Sequence, residues 1–143
     1  MFGRERAAEL DRDRTDLVVV AASFDDAEAC SAALERATRL VADAPAVLRH
    51  HLRVPADRIA DVCAIAAQDG YSPAPADAPP APTDAERAPM TGPLEKLVLQ
   101  RVQVLDALHC AQERSRMAGL AQRNDGIADG WDALQPDSMT EPR

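Results

Sequence analysis

The 143-residue chain predicts an α+β fold of one domain, and three features carry that reading. LVVVAASF at 17–24 is an unbroken, β-branched run ending in an aromatic, the pattern of a strand buried on both faces. VLRHHLRV at 47–54 alternates apolar and polar residues, the pattern of a strand with one covered face. Between and after these runs, apolar residues recur at helical spacing. Hydrophobic residues make up 46% of the chain but aromatics only 3%, so the core must be assembled from Ala, Leu and Val.

Residues 1–15 are charged and aperiodic and read as a flexible arm, 16–135 as the domain, and 136–143 as a tail. After the first strand, Asp25 stands where an N-cap is wanted and Glu28 completes a capping box. Cys30, Leu34, Ala37 and Val41 then mark an amphipathic helix to about residue 42. In the second strand Leu48, His50, Leu52 and Val54 face the core, while Arg49, His51 and Arg53 face water. Pro55 opens a helix on Ile59, Val62, Cys63 and Ala66, which Gly70 ends, and Tyr71 and Ser72 open a short strand. The Pro-rich stretch 73–93 can neither continue a helix nor supply a full ladder, and it reads as a long connection between antiparallel neighbours.

LEKLVLQRVQVL at 94–105 is the longest predicted strand, with Val98, Val102 and Val104 inward and Arg101 and Gln103 outward. Asp106 caps a last helix whose stripe is Val104, Leu108, Ala111, Ser115 and Ala118, with Cys110, Met117 and Ala121 beside it. The order strand, helix, strand, helix, strand, strand, helix predicts a ferredoxin-like α/β sandwich. Its sheet would have about four mainly antiparallel strands with helices on one face.

A net charge of −8 argues against direct binding to nucleic acid, which rewards Lys and Arg. No apolar run is long enough for a membrane span and the start is charged, so a cytoplasmic protein is expected. Cys30, Cys63 and Cys110 fall on apolar helix stripes and read as reduced, buried thiols. No cofactor fingerprint or catalytic constellation stands out. His50 and His51 point to opposite sides of a strand, which argues against a metal site. Arg49, His51, Arg53 and Arg101 together suggest a basic strip on the open sheet face, suited to a protein partner.

RNDGIADGWDALQP at 123–136 holds the only Trp. Asp125-Gly126 and Asp129-Gly130 are turn dipeptides, so the last helix is expected to end near Gly126 and the chain to fold back. Trp131 would then clasp the body, or serve instead as a binding anchor. Asp129, Gly130 and Trp131, with HHLRVPADRIADVCAIAAQDGYS at 50–72, resemble the regulator of ribonuclease activity B family, inhibitors of the endoribonuclease RNase E. Ala128 stands where that family's motif has Tyr, and Asn124-Asp125-Gly126 where it has a Gly pair. The resemblance implies the same ferredoxin-like fold and a non-catalytic regulator that binds an RNase E or RNase G type enzyme. Arg49, His51, Arg53, Arg101, Asp129, Gly130 and Trp131 are the expected docking or docking-support residues. The alternatives are an oligomerisation module, such as a homodimer, and a small enzyme using His109 and Cys110.

Overall fold

The β-branched run forms strand β1 (Leu17–Ser23) and the alternating segment forms β2 (Pro45–Pro55), as their patterns predict. The computed structural model describes residues 10–12, 14–82 and 94–137. The remaining elements are α1 (Cys30–Glu35), a 3₁₀ turn (Ala56–Arg58), α2 (Ile59–Ala67), β3 (Ser72–Pro73), β4 (Leu94–Val104), α3 (Ala107–Arg123) and β5 (Ile127–Pro136). The fold is α+β, with a five-stranded sheet in the order β1-β5-β2-β4-β3 and every neighbouring pair antiparallel. The expected four strands become five because 127–136 is itself a strand, and a near-central one. β2 and β3 are joined through α2 across β4, and β4 and β5 through α3 across β2, so two split β-α-β units interlock. The Pro-rich connection does join antiparallel neighbours, β3 and β4. Its residues 83–93, like residues 1–9 and 13 of the N-terminal arm and 138–143 of the tail, lie outside the described residues.

All three helices pack on one face of the sheet. Leu52, Val54, Leu97 and Leu99 meet Val62 and Ala66 of α2 and Met117, Leu120 and Ala121 of α3. Beside them, Ala21, Leu48, Trp131 and Ala133 meet Cys30 and Ala33 of α1 and Cys110 of α3. The buried stripe of α3 is therefore Cys110, Glu113, Met117, Leu120 and Ala121, and Leu108, expected inward, is 64% exposed. The second face is also covered. Leu17, Val47 and Leu134 form a small cluster there with Leu10, Val19 and Val102, and the Pro-rich segment crosses the remainder.

The first helix is far shorter than its periodicity predicts, and its lead-in shows why. Asp25 turns its carboxylate onto the Ala27 amide at 2.9 Å, and the N-cap is Ala29 with no side-chain cap. Glu28 accepts from Ser23 Oγ at 2.8 Å and from Arg36, which also donates to the Ala22 carbonyl. In place of a capping box, the Glu28 carboxylate ties the segment to β1 and the Asp25 carboxylate closes a local turn. The other two helices begin and end as read. Asp106 caps α3 by accepting from the His109 amide at 2.7 Å, and Gly70 closes α2 at φ +85°, where a side chain is strained. After α3, Asp125 takes φ +64° and Gly126 passes so close to β2 that a Cβ there would collide with the Arg53 carbonyl.

Candidate functional site

The predicted docking residues converge on the β2–β5 pair, with the exception of Arg101. The register runs Arg49↔Asp132, His50↔Trp131 and His51↔Gly130, then shifts so that Leu52 faces Ala128. Asp129 is the extra residue of this bulge, and its carboxylate takes a two-pronged bond from Arg53 at 2.7 and 2.8 Å. Gly130 is required by close approach: a Cβ there would lie 2.6 Å from the Ser23 carbonyl and 2.5 Å from the Phe24 ring. Beyond it, alternation sends Trp131 to the helix face and Asp132 to the opposite one.

On that second face Asp132, wholly buried, is gripped by Arg49 Nε at 2.8 Å and Nη2 at 2.6 Å, with His51 Nε2 at 3.1 Å from the same carboxylate. Burial alone would raise the Asp132 pKa. The hydrogen bonds from His51 and Arg49 outweigh it and hold the group below its ordinary value. Arg49 Nη1 donates to the Pro79 carbonyl at 2.5 Å, so the Pro-rich segment closes over the network. The expected solvated strip is thus corrected: Arg49 and His51 are 1% and 5% exposed, and Arg53 is half-buried. Arg101 lies on the opposite face, because it pairs with Leu48 in the β2–β4 register. There it donates to Glu113 and to the Asp69 carbonyl and sits 4.5 Å above the Tyr71 ring.

The helix face holds Trp131, 1% exposed, and His50, 2% exposed. They floor a cleft of about 510 Å³ between the Asp26–Cys30 segment and the Arg114, Met117 and Ala118 side of α3. The Tyr71 hydroxyl lies 3.4 Å from His50 Nε2. Burial, more than the nearby charges of His51 and Arg101, pushes the His50 pKa down to about 3.

That shift has a testable sign. The unfolded chain takes up the imidazole proton near pH 6.5, whereas the folded chain resists it to about pH 3. Stability is therefore fully present above pH 6.5 and falls as pH drops toward 3, by on the order of 4 kcal/mol. Urea midpoints between pH 7 and 3 are expected to fall, and His50→Gln to flatten that slope down to the range where Asp132 adds its own loss. An equally steep slope in the variant would refute the assignment.

His109 and Cys110 do not form a site. His109 Nδ1 bonds the exposed Asp106 cap at 2.7 Å, while Cys110 is buried and its thiol is pushed up to about 12, chiefly by burial. Cys30 is buried too, and Cys63 is half-buried with its thiol also shifted upward by burial. Among the described residues no three His, Cys, Asp or Glu side chains gather as metal ligands, and no helix is long and apolar enough to cross a membrane.

Searches of family models, of curated proteins and of solved structures find no match to this chain. Its reading rests on its own geometry. Sequence reasoning missed Asp132, the partner of two predicted residues, although strand alternation in WDALQ sets it between Trp131 and Ala133 of one face and on the other face with Leu134. It also missed the cleft, whose wall residues Arg114 and Ala118 carry no local motif.

Proposed function

We propose that this protein is a non-catalytic cytoplasmic regulator that binds a protein partner of the RNase E or RNase G type. We read its scaffold, β2–β5 with α2 and α3, as a ferredoxin-like α/β sandwich extended at one edge by β1. One observation carries the reading. The two segments that resemble the ribonuclease regulators, 50–72 and the one holding Asp129, Gly130 and Trp131, are bonded neighbours: His51 pairs with Gly130, and Arg53 grips Asp129. Of the seven candidate residues, Arg53 and Asp129 reach the surface best as a pair; Arg49, His51, Gly130 and Trp131 lie in the same two strands, largely buried, and Arg101 stands apart on β4. A net charge of −8 suits a partner with a basic docking surface.

The test is capture of a purified RNase E type enzyme by the full chain, read together with its cleavage of a model RNA. Slowed cleavage is expected. Arg53→Ala with Asp129→Ala should weaken capture by about tenfold, with the far-ultraviolet spectrum unchanged. Neither capture nor altered cleavage by the unmodified chain would overturn the reading.

A further inference from the structure

A cavity of about 430 Å³ lies on the second face of the sheet, between the Pro-rich segment and the residues that lead into β1. Leu17 and Leu134 of the sheet and Pro79 and Pro80 of the segment give it apolar walls. Gln100 of β4 also lines it. This residue pairs with Arg49 in the β2–β4 register, so its side chain stands on the face that the Pro-rich segment crosses. Gln100 is 3% exposed, and no described residue hydrogen-bonds its side-chain amide. Among the described residues, only His51 Nδ1 and Trp131 Nε1 are both unbonded and sealed, so the Gln100 amide opens into the cavity. Buried amides are almost always satisfied, and an open one marks where a donor and an acceptor belong.

Two opposite charges border the same cavity without a counter-charge among the described residues. Arg12 donates to Ser72 Oγ at 2.7 Å, and Ser72 pairs with Gln100 in the β3–β4 register, which sets the guanidinium beside the amide. That neutral hydroxyl occupies one of its five N–H groups. Asp77 lies on the exposed part of the Pro-rich segment, and no described residue bonds its carboxylate. Arg14, also at the cavity, is already closed on Asp16 at 2.6 and 2.8 Å.

We propose that this cavity binds a short apolar peptide with free ends, of dipeptide size. Arg12 takes its carboxylate and Asp77 its ammonium, while the Gln100 amide donates to the peptide carbonyl and accepts from the peptide N–H. A simple anion would meet Asp77 and a simple cation would meet Arg12, whereas the two ends of a dipeptide answer both. Its side chains replace water against the leucines and prolines. The site shares no residue with the Arg53–Asp129 pair, and the proposal does not rest on the partner-binding reading.

Calorimetric titration of the full chain with L-alanyl-L-leucine, its N-acetyl form and its C-terminal amide removes one charged end at a time. The free dipeptide is expected to bind saturably, and each capped form about tenfold more weakly. Arg12→Gln and Asp77→Asn alter exposed side chains, so both variants should melt as the native chain does. Arg12→Gln should bind the dipeptide about tenfold more weakly and no better than its C-terminal amide. Asp77→Asn should do the same with respect to the N-acetyl form. Gln100→Leu, checked by melting for an intact fold, should weaken all three ligands by a similar factor. The proposal is overturned if the free dipeptide does not bind, or if the capped forms bind as well as it does. It is equally overturned if the folded variants bind all three ligands as the native chain does.

Discussion

Replacing Asp132 by Ala should cost about 3–5 kcal/mol of folding stability, because it leaves the Arg49 guanidinium buried without its counter-charge. The loss would take a large share of the roughly 5–15 kcal/mol typical of a domain, and it is read as a fall in the urea midpoint at unchanged slope. The double variant Arg49→Met with Asp132→Leu should recover most of the loss. Two charges that satisfy each other in a dry site contribute little beyond what two apolar side chains of similar volume would. If Asp132→Ala and the double variant were equally destabilised, the site would be governed by shape and not by charge. The Pro79 carbonyl tests the geometry separately: when Arg49 leaves, the Pro-rich segment loses its bond to the sheet, and limited proteolysis within 73–82 should accelerate.

Trp131→Ala is expected to destabilise the fold by about 3–5 kcal/mol. At 1% exposure, packed with Ala21, Cys30, Leu48 and Ala133, the ring fills space that no neighbouring side chain is large enough to reclaim. The residue is thus a structural clasp. Trp131→Phe keeps most of the volume and removes the unsatisfied donor, so it should lose less than half as much. A Trp131→Ala variant with an unchanged midpoint would show that α1 and α3 collapse into the space.

The strands and helices with a strong local period were legible: β1, β2, β4, α2 and α3 all lie where alternation or helical spacing puts them. β5 was not, because Asp129-Gly130 reads as a turn and is instead a bulge in a continuous strand. Its glycine serves the close passage of Ser23 and Phe24. The facing of β4 was ambiguous for a related reason. Both of its faces are apolar, Leu97 and Leu99 on one and Val98 and Val102 on the other, and only the register with β2 assigns Arg101 to the helix side. Arg49, His51 and Arg53 were correctly grouped on one face, but exposure of that face depends on a partner carboxylate 83 positions away for Arg49 and on a covering segment. The α1 region failed at its caps, where two carboxylates that fit a capping box bond other groups.

The position of β5 also orders events in time. It lies between β1 and β2, and β1 has no other neighbour in the sheet. Until residues 127–136 have left the ribosome, β1 has no strand to bond, and Arg49 waits without Asp132. The unit from β2 to β4 can begin locally, but the pairing of β1 with β5 closes contacts across most of the sequence, and such closure is slow. During synthesis the β-branched edge of β1 is therefore the segment most in need of protection from other chains.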